Sequence, residues 1–143
     1  MKIKRSGGAT WQGGLKDGKG TVSTQSGALD GAPYGFVSRF EGRAGTNPEE
    51  LIGAAHAGCF TMALSMILGE ANLTAEKMET TATVTLEKLD GSYAITAIHL
   101  DLKAMIPGAD EALFEKLAAS AKANCPVSKL FKCDITLDAK LIA

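Results

Sequence analysis

The chain has 143 residues, 45% hydrophobic and 22% charged, the size and make-up of one globular domain spanning residues 1–143 with its own core. Fifteen Lys and Arg against sixteen Asp and Glu leave a net charge of -1, so there is no basic field of the kind that draws proteins onto nucleic acid or anionic lipid. The basic start, MKIKRSGGATWQGG, has no apolar signal core behind it, and no uninterrupted apolar run approaches a membrane span; this predicts a soluble, cytoplasmic protein with no membrane partner.

Glycine is concentrated early, with 13 of the 16 at or before Gly58. That punctuation predicts a meander of short strands over the first 45 residues, with KIKR, GTVST and FVSRFEG as the extended pieces. In FVSRFEG the strand reading puts Val37 on the face of Arg39, and Phe36 and Phe40 on the other.

At Asn47 the signal changes. Asn47 suits an N-cap, Pro48 the first helical position, and Glu49 and Glu50 the positive end of a helix dipole, with Asn47 and Glu50 spaced as in a capping box. The helix then runs apolar or small to Gly69, through Leu51, Ile52, Cys59, Phe60, Met62, Leu64, Met66, Ile67 and Leu68. A helix apolar nearly all round must be covered on most sides. One domain of this size has difficulty wrapping it alone, and Gly53, Ala54, Ala57 and Gly58 admit a close backbone, so the helix is expected at the centre of a homodimer.

Two alternating runs around Asp90-Gly91 predict a hairpin, with Ala82, Val84, Leu86, Ile98, Leu100 and Leu102 inward and His99 solvated beside Asp101 and Lys103. ADEALFEKLAASAKAN reads as an amphipathic helix with acids in its first turn, and CPVSKLFK as a short helical turn. CDITLDAKL closes the chain as a strand with Cys133, Ile135, Leu137, Ala139 and Leu141 inward.

Cys59, Cys125 and Cys133 are an odd number, which argues against a structural disulfide framework. There is no CxxC or HxxxH, and His56 and His99 lie 43 residues apart, so a metal site is not expected. A reactive cysteine works as its thiolate and needs positive potential close by. Cys125, before Pro126, falls at an N-cap; a packed thiol and an ionisable one are equally compatible with that position. Cys59 lies mid-helix and needs a cation from another segment. Arg39 is the candidate, with Glu49 holding its guanidinium through a two-toothed contact; the plainer readings are an exposed arginine near Glu41 and a first-turn acid. Ten residues of straight helix put Glu49 about 15 Å from Cys59. Either Arg39 bridges the gap, or the helix starts late, or a dimer joins acid and thiol from different chains, which is favoured here. His56, one turn before Cys59, is either a base or hydrogen-bond partner or a buried packing residue.

NPEELIGAAHAGCFTMALS, followed 66 residues after its cysteine by ANCPVSKL, resembles the OsmC/Ohr family of osmotically inducible and organic hydroperoxide resistance proteins. The likeness covers nearly the whole chain, and AHAGCF with the early SRFEG resembles the OsmC branch more than the Ohr branch, which tends to carry Tyr at Ala57 or His56. The resemblance implies an α+β fold in which two chains intertwine, antiparallel sheets wrapping two central buried helices. It implies a thiol peroxidase without metal, flavin or haem. Cys59 would attack the peroxide and become a sulfenic acid, Cys125 would resolve it as a disulfide, and Arg39 held by Glu49 would stabilise the thiolate and the leaving oxygen. Organic hydroperoxides are the expected substrates, and a small or protein-bound dithiol the reductant. The rivals are a redox-sensing or binding stress protein of the same fold, and a metal binder using Cys59, Cys125 and His56.

Overall fold

The computed structural model describes residues 1–42 and 44–142. The chain divides into two compact units, Met1–Leu51 and Ile52–Ala143.

In the first unit β1 (Gly7–Gln12), β2 (Lys19–Thr24) and β3 (Ala32–Tyr34) form an antiparallel sheet in chain order. GTVST falls inside β2 as expected, whereas KIKR precedes the first strand. The strand there is the glycine-bearing GGATWQ, fixed by its register against β2 from Gly7↔Thr24 to Gln12↔Lys19. Pairing with a neighbour, not local propensity, selects the segment.

FVSRFEG is also not extended: Phe36–Phe40 is a one-turn helix, α1. Ser38 decides this locally. Its Oγ accepts from the N–H of Gly35 at 3.0 Å and donates to the carbonyl of Thr46 at 2.9 Å, tying the turn to the following loop. Phe36 and Phe40 are then four apart on one helical face, with ring centroids 5.0 Å apart.

Helix α2 (Pro48–Glu70) starts where its cap predicts, with the N–H of Glu50 donating to Asn47 Oδ1 at 2.8 Å. The returning arm of the box differs, because the Glu50 carboxylate accepts from the Thr46 hydroxyl at 2.7 Å. By length and composition α2 could cross a bilayer. It is the core helix of the second unit, with Phe60, Leu64 and Leu68 buried at four-residue spacing.

Against that face lies the second sheet, β4 (Lys77–Leu89), β5 (Ser92–Met105) and β6 (Asp134–Leu141). The Asp90-Gly91 turn forms as predicted, with both residues at positive φ (47° and 83°), the geometry that twists a two-residue loop into register with its strands. Ala82 pairs with Leu100 and Val84 with Ile98, on one inward face. The sheet is mixed rather than wholly antiparallel, since β6 runs parallel to β5. The intervening α3 (Glu111–Asn124) makes that possible: a helical crossover is what joins parallel neighbours. Asp110 caps α3, which adds Phe114, Ala118 and Ala121 to the core. Cys133, just before β6, is half-buried in phase with Ile135, Leu137, Ala139 and Leu141.

One close approach predicted for α2 is made within the chain itself. A Cβ on Gly53 would lie 2.9 Å from the carbonyl oxygen of Ala82, so β4 is the backbone that this glycine admits. The other side of α2 is different: Ala54, Ala55, Gly58, Met62 and Met66 are exposed, Met62 at 76% and Met66 at 64%.

Candidate active site

Within the first unit, Arg39 projects from α1 and Glu49 from the first turn of α2. The guanidinium grips the carboxylate with both prongs, Nε to Oε1 and Nη2 to Oε2, each 3.1 Å. This is the planar two-toothed contact expected of the pair, and it fixes the guanidinium in orientation as well as charge. The guanidinium carbon also lies 5.3 Å from the Phe40 ring centroid. Beside Arg39 is a pocket of about 190 Å³ lined by Trp11, Leu15, Tyr34, Phe36 and Phe40, a surface suited to an apolar group next to a fixed cation.

Two of the three cysteines come near one another in the second unit. Cys59 comes from α2 and Cys125 from the N-cap of α4 (Pro126–Leu130), and Cys59 packs against the buried core that holds Cys125, near enough for the one thiol to act on the titration of the other. Pro126 at the first helical position sets the turn. One free N–H of that turn serves the capping sulfur directly, Ser128 N–H donating to Cys125 Sγ at 3.4 Å, and the neighbouring Val127 N–H favours the Cys59 thiolate. Burial pushes the Cys59 thiol above the ordinary cysteine range; the Val127 N–H opposes that rise and Cys125 adds to it. The cation that the sequence reading asks for at Cys59 is therefore not replaced by any local effect of α2 or α4.

His56 is completely buried one turn before Cys59. Its Nε2 is 2.7 Å from Ser128 Oγ, and that hydroxyl is 3.0 Å from Cys125 Sγ. The imidazole also meets the Phe131 ring edge-on at 5.5 Å. Burial holds its pKa below the usual histidine value, so the ring is neutral at physiological pH. Its Nδ1 is buried without a hydrogen-bond partner among the described residues, which costs about 1–3 kcal/mol for a polar atom out of water.

Ser128 is the residue sequence reasoning missed. The signal was its place three residues after the capping cysteine, where side chain and N–H of the third helical position face the cap. His99 behaves as expected on the outer face of the sheet, but with more company than Asp101 alone: Nε2 is 3.1 Å from Asp138 on the neighbouring β6, and 3.7 Å from Asp101. This half-buried histidine and two exposed carboxylates are not the thiols and imidazole of the metal-binding alternative.

An α+β chain that brings two free thiols near one another at a capped turn has the components of thiol–disulfide chemistry. A family model described as OsmC-like protein matches residues 40–140. The chain is 55% identical over 141 residues to Peroxiredoxin OsmC of Escherichia coli strain K12, covering 99% of both. It is 27% identical over 123 residues to organic hydroperoxide resistance protein OhrB of Bacillus subtilis strain 168, covering 85% of this chain and 88% of that one. The crystal structure of Bacillus subtilis OhrB superposes with a TM-score of 0.68 over 96% of this chain and 98% of that one, at 27% identity. An OsmC-like protein from Mycoplasma pneumoniae, 15% identical, shares the fold with a TM-score of 0.77 over the whole of both chains. The chain belongs to the OsmC-like family.

Proposed function

We propose that this protein is a cysteine-based peroxidase that reduces organic hydroperoxides, with residues 1–143 acting as one OsmC-like domain in an intertwined homodimer. The observation that carries the reading is the packing of Cys59 against the core that holds Cys125, with the two thiols near enough to influence one another, in a chain 55% identical to a peroxiredoxin. The Cys59 thiolate attacks the terminal peroxide oxygen; the S–O bond forms as the O–O bond breaks, and the alkoxide leaves as an alcohol on protonation. Cys125 then displaces the oxygen of the Cys59 sulfenic acid as water, giving the Cys59–Cys125 disulfide. A small or protein-bound dithiol returns both thiols by exchange.

Arg39, oriented by Glu49, supplies the positive charge for the thiolate and for the leaving oxygen. Helix α2 is unbroken from Pro48 to Glu70, so a late helix start does not shorten the separation of about 15 Å between Glu49 and Cys59. That leaves Arg39 reaching across the gap within one chain or a dimer that joins acid and thiol from different chains, and the reading favoured here is the dimer, in which the Arg39–Glu49 pair of one protomer serves Cys59 of its partner. The exposed stripe through Gly58, Met62 and Met66 supports this arrangement, since an apolar helix face of that kind needs a cover. The aromatic pocket beside Arg39 supports apolar hydroperoxides over the better-hydrated hydrogen peroxide.

Multiple turnover with cumene or tert-butyl hydroperoxide and a dithiol tests the reading. A wild type that forms one disulfide and stops with every reductant supports the redox-sensing alternative. Peptide mapping after one equivalent of peroxide should join Cys59 to Cys125 and leave Cys133 alkylatable.

A further inference from the structure

We infer that Ser128 and His56 form a proton relay that serves the resolving step, with Ser128 acting on Cys125 and His56 positioning and emptying Ser128; the inference rests on the peroxidase reading above. Four observations converge on it. The Ser128 hydroxyl touches both Cys125 Sγ, at 3.0 Å, and His56 Nε2, at 2.7 Å, so one rotor links thiol to imidazole. All three groups are buried, which denies Cys125 direct proton exchange with bulk water. His56 is held neutral by its burial and so has a free lone pair for a proton. Its Nδ1 has no partner among the described residues, which leaves Nε2 as the one nitrogen engaged, and engaged toward the thiol.

The step balances as follows. Cys125 Sγ attacks Cys59 Sγ; the S–S bond forms and the S–O bond of the sulfenic acid breaks. The sulfenic sulfur is reduced and the Cys125 sulfur oxidised, with no outside electron donor or acceptor. The Cys125 proton passes to Ser128 Oγ while the Ser128 hydroxyl proton passes to His56 Nε2. The displaced hydroxide is protonated to water and the imidazolium gives up its proton, so the two transfers cancel and His56 ends neutral. The titratable groups near the imidazole are Cys125 through Ser128, and Cys59 one turn along α2.

The relay belongs to the second half of the reaction, and a single turnover separates the halves. Reduced full-length protein is mixed with one equivalent of cumene hydroperoxide. Sulfenic acid is trapped with dimedone and the Cys59–Cys125 disulfide is followed by quenched-flow alkylation and mass spectrometry. Ser128→Ala and His56→Gln should each slow disulfide formation tenfold or more and raise the dimedone-trapped fraction. Ser128→Thr, which keeps the hydroxyl, should return the rate to within about threefold of wild type, and the wild-type condensation should carry a solvent deuterium isotope effect that Ser128→Ala loses. Wild-type rates of disulfide formation in folded Ser128→Ala and His56→Gln overturn the relay. So does a Ser128→Thr protein as slow as Ser128→Ala, because that result makes Ser128 a packing residue. A wild type that forms neither sulfenic acid nor disulfide overturns the peroxidase reading itself, a distinct outcome.

Discussion

If the Arg39–Glu49 pair of one protomer serves the thiol of the other, two inactive chains should rescue each other. Arg39→Ala loses the cation, and removing an opposite charge a few ångströms from a thiolate raises its pKa by about 1–3 units, a ~10- to 1,000-fold drop in reactive thiolate. Cys59→Ser has no nucleophile at all. In a random mixture of equal parts, half of the dimers carry one chain of each kind. In such a dimer one site joins the intact Cys59 of the Arg39→Ala chain to the intact Arg39 of its partner, and the other site lacks both. Half the dimers with one working site of two give about a quarter of wild-type activity. The structural basis is the unbroken run of α2 from Glu49 to Cys59, with the guanidinium clamped onto Glu49 at 3.1 Å by both prongs. The assay is initial-rate reduction of cumene hydroperoxide by the two variants refolded together, against each refolded alone. Activity no higher than that of the parents, in a mixture shown by mass to contain hybrid dimers, refutes the crossed arrangement and puts Arg39 and Cys59 of one chain together.

Three further outcomes follow from particular contacts. Because burial raises the Cys59 thiol and the thiolate is the reactive form, the rate of the first oxidation should climb with pH through the neutral range, and Arg39→Ala should move that climb to higher pH; stopped-flow oxidation against pH measures both. Gly53→Ala gains about 1 kcal/mol of helix propensity but drives a Cβ to 2.9 Å from the Ala82 carbonyl, an overpacking cost of about 1–3 kcal/mol. The balance predicts a lower urea midpoint at unchanged slope, and a midpoint above wild type would contradict the close packing of α2 on β4. His56 is neutral and buried in the folded chain but takes a proton near pH 6.5 when unfolded. The unfolded state then binds the extra proton below that pH, so stability should fall on acidification by up to about 1.4 kcal/mol per pH unit. The His56→Gln protein should lack this component between pH 5 and 6.5, as urea titrations at each pH would report.

Local chemistry is legible in this sequence wherever neighbours along the chain decide the structure. Asn47 caps α2, Asp90-Gly91 turns the hairpin, Asp110 caps α3 and Cys125 caps α4, because each depends on a side chain or a φ preference within a few residues. The cysteine pair was legible only through a family resemblance, since no local rule relates residues 66 positions apart; the Arg39–Glu49 clamp was open to chemical reasoning as one of two readings, and the fold decided for it. FVSRFEG was misread because strand propensity was weighed without Ser38, whose hydroxyl reaches back to Gly35 and forward to Thr46. KIKR was misread because the first strand is chosen by its ladder with β2.

The sequence by itself determined a long apolar helix that needs covering and three cysteines without a local disulfide or metal pattern. Tertiary structure decided what those features mean. It turned Gly53 toward β4, ran β6 parallel to β5, and set the Ser128 N–H against the Cys125 sulfur. It also joined His56 to Cys125 through Ser128, across 72 positions between the histidine and the serine. The physical reason is the same in each case: hydrogen bonds and close packing act over about 3–4 Å in space, and a chain brings distant positions that close only after it has folded.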